Sequence, residues 1–147
     1  MARPSREVMN EFLKAMNERD FATLERLIHP DFVGDMPQSR ERIRGFASFR
    51  AQMENYPGGA PAGQADLDAA LLTGGEDRWA ISPGYTVLPL AGPDRFTAAL
   101  RTQYPDGSVW HIVVIIDIAD DRVIRSTTYF GPEFEPPEWR KGLTERY

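Results

Sequence analysis

Apolar positions recur at two different spacings along this chain. Val8, Met9, Phe12, Leu13 and Met16 lie three and four residues apart, which predicts an amphipathic helix over Ser5 to Asn17, with Ser5 as a cap candidate after Pro4. Beyond the junction Asn17-Glu18-Arg19, Asp20 is placed to cap a second, short helix striped by Phe21, Leu24, Leu27 and Ile28, and His29-Pro30 ends it. Asp31 to Met36 reads as a short strand running into Pro37. Ser39 is the cap candidate for a third helix from Arg40 to about Glu54, burying Ile43, Phe46, Ala47, Ala51 and either Met53 or the Arg50 stem. Tyr56 to Gly63 is dense in glycine and proline and reads as a linker inside one domain.

From Ala65 onward the spacing is extended. Asp66 to Leu72, Arg78 to Leu88 and Arg95 to Tyr104 read as strands, the second interrupted by Ser82-Pro83-Gly84. Trp110 to Ile118 and Val123 to Phe130 are rich in β-branched and aromatic residues and predict two more strands, joined through Ala119-Asp120-Asp121 as a hairpin. Trp110, Ile112, Val114, Ile116 and Ile118 share one face of the first of these, and His111, Val113, Ile115 and Asp117 the other. Neither face is polar along its length, so the strand is central and covered on both sides, by helices, a second subunit or a ligand cavity. Helices first and a sheet afterwards is an α+β layout. The 147 residues are expected to form a single domain, 1–147, with 131–147 as a C-terminal tail anchored on the body by Phe134 and Trp139.

Composition narrows the partners. Apolar residues are 41% and charged residues 27% of the chain, ordinary for a globular domain, and nothing approaches a membrane span. The N-terminal residues lack the apolar core of a secretory signal, so the expected location is cytoplasmic. With no cysteine, thiol nucleophiles, disulfides and cysteine-ligated metals are excluded. A net charge of -5 offers no broad basic footprint, so no nucleic acid partner is expected. His29 and Asp31 could in principle ligate a metal, but with two histidines, no HExxH spacing and no cysteine cluster no metal site is expected, and no cofactor is expected either. Arg40, Arg42 and Arg44 spread around their predicted helix with Glu41 among them, which reads as a solvated face with local ion pairs.

Three stretches, His29 to Gly45 (HPDFVGDMPQSRERIRG), Asp106 to Phe130 (DGSVWHIVVIIDIADDRVIRSTTYF) and Pro132 to Arg140 (PEFEPPEWR), resemble the SnoaL-like branch of the nuclear-transport-factor-2-like superfamily. The resemblance implies three N-terminal helices packed in a strongly curved, mostly antiparallel sheet that forms a cone-shaped barrel with a pocket at its open end. It also implies a homodimer through the outer sheet face and a small hydrophobic molecule as partner. Activity does not follow from it, because the branch holds isomerases, cyclases, epoxide hydrolases, dehydratases and non-catalytic proteins. The readings left open are a cofactor-free enzyme moving protons on a carbonyl-bearing or cyclic metabolite, a non-catalytic binder or dimeric accessory protein, and a stand-alone protein-interaction module using the outer sheet face.

The candidate chemistry rests on Asp35, His111, Tyr129 and Arg101. Asp35 is either a base desolvated by an apolar cavity or a solvated residue at the turn before the third helix. Isomerase-type members of the resembled family hold their base immediately before the proline, where this chain has Met36. His111 is either a pocket acid or base or an interface histidine, and lies about 20 Å along the strand from Asp117, too far to pair with it. In cyclase-type members of the resembled family the last strand brings a histidine and a downstream aspartate toward the reaction centre, and Arg125 to Phe130 has neither. That strand instead offers the Tyr129 phenol, a candidate donor to a carbonyl or developing enolate. Arg101 paired with Asp35 across the cavity would resemble the epoxide-hydrolase arrangement. Trp79, Tyr85, Trp110, Tyr56 and Phe46 are the expected pocket lining.

Overall fold

The computed structural model describes residues 2–56 and 58, the backbone of 71–74, and residues 92–147, and shows three N-terminal helices against a six-stranded mixed sheet. Helix α1 (Ser5–Glu18) ends where Arg19 turns left-handed at φ 54° and its N–H closes onto the Ala15 and Met16 carbonyls. Asp20 caps α2 (Phe21–Leu27) by accepting from the Thr23 N–H at 3.0 Å. Strand β1 (Ile28–Met36) comes directly after it, so His29 and Pro30 lie inside a strand. Pro30 brings no N–H to the ladder, and the pairing of β1 with β6 shifts register between Ile28 and Val33.

The expected third helix is shorter by its first turn. Residues 41–44 form strand β2 (Glu41–Arg44), which folds back on β1 with Met36 opposite Glu41 and Val33 opposite Arg44. Ser39 therefore caps no helix; its hydroxyl donates to the Met36 carbonyl within the connecting turn. Gly45, at φ +72°, makes the bend from strand into α3 (Gly45–Glu54), a conformation that costs glycine little. The alternation of arginine and apolar residues in Glu41–Arg44 suits an edge strand as well as a helix surface, and pairing with β1 decides between them.

Strand β3 (Leu71–Gly74) pairs with β4 (Arg95–Gln103), β4 with β5 (Val109–Ala119), and β5 with β6 (Arg122–Pro132), all antiparallel. The β5–β6 hairpin closes at Asp120-Asp121, both left-handed at φ 50° and 58°, as a two-residue turn of the primed type requires. The predicted strand Arg78 to Leu88 lies outside the described residues.

The expected cone is not formed. The strand order is β2-β1-β6-β5-β4-β3, with β1 and β6 parallel; the sheet is neither closed nor strongly curled. Closure requires the two edge strands to pair with matching tilt and stagger. Here the edges are four-residue strands at opposite ends of the order. The helices nevertheless cover one face, where Val8, Met9, Phe12 and Ala15 of α1 and Leu24 and Leu27 of α2 bury against Phe32, Phe96, Ile116, Ile118 and Val123. Phe134 and Trp139 are 75% and 73% exposed, so they do not hold the C-terminal tail as expected. Among the described residues no helix is long and apolar enough to cross a membrane.

Candidate functional site

A cavity of about 250 Å³ lies between the helices and the covered sheet face. Its helix wall is Phe12, Leu13, Met16 and Asn17 of α1 with Phe49, Gln52 and Met53 of α3. The sheet wall follows strand alternation: Leu100 and Thr102 from β4, Ile112, Val114 and Ile116 from β5, and Ser126, Thr128 and Phe130 from β6. The register puts these in rows, with Leu100, Ile112 and Phe130 side by side, then Val114 beside Thr128 and Ile116 beside Ser126. Gly34 admits the wall residue Ile43, whose Cγ1 would lie 2.9 Å from any added Cβ. Tyr56 stacks on Tyr104 with centroids 5.7 Å apart, and Trp110 meets Tyr104 edge-on at 6.1 Å. Burial, then the adjacent Tyr56 phenol, pushes the Tyr104 hydroxyl above the ordinary phenol range, so it stays protonated.

The four candidate catalytic residues are not brought together here. Arg101, His111 and Tyr129 alternate with wall residues and occupy the opposite, outer face of the sheet. There Arg101 donates to Glu133 at 2.6 Å, and His111 lies 3.6 Å from the same carboxylate. The Arg101 guanidinium, with lesser help from His111, holds Glu133 below the usual carboxylate range. Arg101 thus pairs with Glu133 and not with Asp35, which removes the epoxide-hydrolase arrangement. Asp117 pairs with Arg95 on the same face.

Asp35 borders the cavity, but its carboxylate accepts two hydrogen bonds from Arg42, at 2.5 and 3.0 Å. It stands opposite Arg42 on one side and Thr127 on the other, both on the outer-face parity. The Arg42 hydrogen bonds, opposed by partial burial and aided by the charges of Arg42, Arg125 and Arg44, hold Asp35 below the usual aspartate range. An aspartate so held is a weak base.

Of the expected lining residues, Tyr56 is in the wall, Phe46 stacks on the wall residue Phe49 at 6.4 Å, and Trp110 backs Tyr104. Trp79 and Tyr85 lie outside the described residues. The polar wall residues Asn17, Gln52, Thr102, Tyr104, Ser126 and Thr128 were not found from sequence. The i, i+2 spacing of Thr102 with Leu100 and Tyr104 was the available signal, but it has no sign until one face is known to be inside.

The family pattern described as the SnoaL-like domain matches residues 9–126. The chain belongs to the SnoaL-like family. No curated protein matches it. Among solved structures, this SnoaL-like protein is similar to an NTF-2 like protein of unknown function from Burkholderia xenovorans, at 24% identity over 98% of this chain and 95% of that one, TM-score 0.64. It is similar to a proposed ketosteroid isomerase from Kribbella flavida, at 24% identity over 98% and 90%, TM-score 0.67. A steroid delta-isomerase from Pseudomonas aeruginosa matches at 14% identity over 90% and 82%, TM-score 0.58. At these identities the likenesses concern the fold.

Proposed function

We propose that this SnoaL-like protein binds a small, predominantly apolar molecule in the cavity between α1, α3 and the sheet. The observation that carries this reading is the chemistry of the wall. Twelve of its residues are apolar side chains of phenylalanine, leucine, isoleucine, valine or methionine, and its ionisable members among the described residues are Asp35, Tyr56 and Tyr104. Asp35 is committed to Arg42, and Tyr104 is held protonated, so binding is better supported than proton abstraction. The test is saturable binding of N-phenyl-1-naphthylamine followed by its fluorescence. One site is expected in the native protein, and Ile112→Trp, which fills the cavity, is expected to abolish it while the circular dichroism spectrum is kept. Equal binding by both proteins would overturn the reading.

A second reading is isomerase- or cyclase-type proton transfer on such a molecule, supported by family membership and by the isomerase names of two structural relatives. Asp35, at the cavity border, is then the candidate base, while Arg101, His111 and Tyr129 form a separate outer-face group. Arg42→Ala is expected to raise turnover of an identified substrate if Asp35 is the base, and to leave it unchanged otherwise. A homodimer through the outer face belongs to the same proposal; half-exposed Val113 and Tyr129 support it, and light scattering tests it.

A further inference from the structure

Thr102 is the buried polar residue of the described chain, 4% exposed, and it lies on the cavity wall. Its neighbours on β4, Arg101 and Gln103, are both exposed, so strand alternation sends the Thr102 side chain inward, between Leu100 and Tyr104. Its backbone is paired with Trp110 in the ladder. No described residue hydrogen-bonds its hydroxyl. The nearest indole is committed, since Trp110 Nε1 donates to Ser108 Oγ at 3.0 Å. On the helix wall, Asn17 Oδ1 is buried without a partner among the described residues.

A hydroxyl open to an apolar cavity is met by whatever fills that cavity, whereas valine in its place offers the occupant no hydrogen bond. The neighbouring wall is apolar, so a ligand group that meets Thr102 does so out of bulk water, where one hydrogen bond discriminates strongly. A hydroxyl both donates and accepts, and therefore matches threonine in either orientation.

Resting on the binding reading above, we propose that Thr102 is the specificity-determining residue of the cavity. It selects an apolar, ring-sized molecule that carries a hydroxyl over the same frame without one. Tyr104 and Tyr56 supply the flat surface beside that hydroxyl.

The experiment is equilibrium dialysis of the full chain against naphthalene and against 2-naphthol, which share a frame and differ by one hydroxyl. The native protein is expected to bind both and to prefer 2-naphthol by about tenfold, the worth of one well-placed hydrogen bond. Thr102→Val is expected to lose that preference, and Thr102→Ser to retain it. Thr102→Ala gives the same reading should valine not be accommodated. Saturable naphthalene binding with no preference for 2-naphthol, or a preference that survives in Thr102→Val and Thr102→Ala, overturns the role of Thr102 and leaves the cavity reading standing. Failure of both probes to bind overturns the cavity reading and this inference with it.

Discussion

The two faces of strand β5 carry similar residues and have different fates. Ile112, Val114 and Ile116 look onto helices and cavity, where Ile116 is fully buried among Val8, Met9, Phe12 and Phe96. One residue out of step, Val113 is 38% exposed and its cross-strand partner Tyr129 39%, in a face edged by ion pairs: Arg101 with Glu133, Arg95 with Asp117, Arg42 with Asp35. Even there Ile115 is buried, so the outer face is a ring of charge around a small apolar centre. Hydrophobic burial is a matter of what lies opposite a side chain, and for Val114 and Ile116 the helices supply it.

The largest test of the difference is a pair of truncations. Phe96→Ala, at a fully buried site on the helix-covered face, is expected to cost about 3–5 kcal/mol in urea unfolding. Val113→Ala, on the outer face, is expected to cost below about 1 kcal/mol. Comparable losses would mean that the outer face is covered in solution, as a homodimer through it would require, and the loss would then depend on protein concentration.

A smaller effect separates Asp35 from the rest of the cavity border. Its folded pKa is depressed below the ordinary value of 3.8, so its pairing with Arg42 stabilises the fold above pH 3.8 and that contribution is lost as pH falls through the lower folded pKa. Asp35→Asn is expected to lower stability at neutral pH by no more than about 1 kcal/mol, and to flatten the acid limb of stability against pH. A steeper acid limb in the variant would show that the folded pKa is raised, as desolvation by the cavity would make it.

The smallest effect belongs to the outer-face cluster. Glu133→Gln is expected to leave the urea midpoint close to the native value, because Glu133 and its partners Arg101 and His111 are solvated. A larger loss, visible as dissociation in light scattering, would place Glu133 in a subunit interface.

Much of the fold was legible because local rules carry it. The helix spacing of Val8 to Met16, the Asp20 cap, and the Asp120-Asp121 turn act within a few residues, and each stands in the structure where the pattern put it. The helix expected from Arg40 failed at its first turn because Glu41–Arg44 found a strand partner in β1, a choice no local propensity contains. The cone failed for a related reason, since closure depends on edge strands meeting across the sheet.

The site was less legible. Arg101, His111 and Tyr129 carry the more reactive chemistry, yet Leu100, Thr102, Ile112 and Thr128, one step away, form the wall. Strand parity decides this, and a strand that is apolar on both faces leaves no polar face to reveal its parity. The sequence by itself determined a cysteine-free, acidic α+β chain with an amphipathic helical half, a central two-faced strand and a tight hairpin. Tertiary structure alone decided that the sheet stays open, which strand face meets the helices, and that Asp35 answers to Arg42 rather than to the cavity. Side-chain period is written in the chain; inside and outside exist only once a second layer has packed.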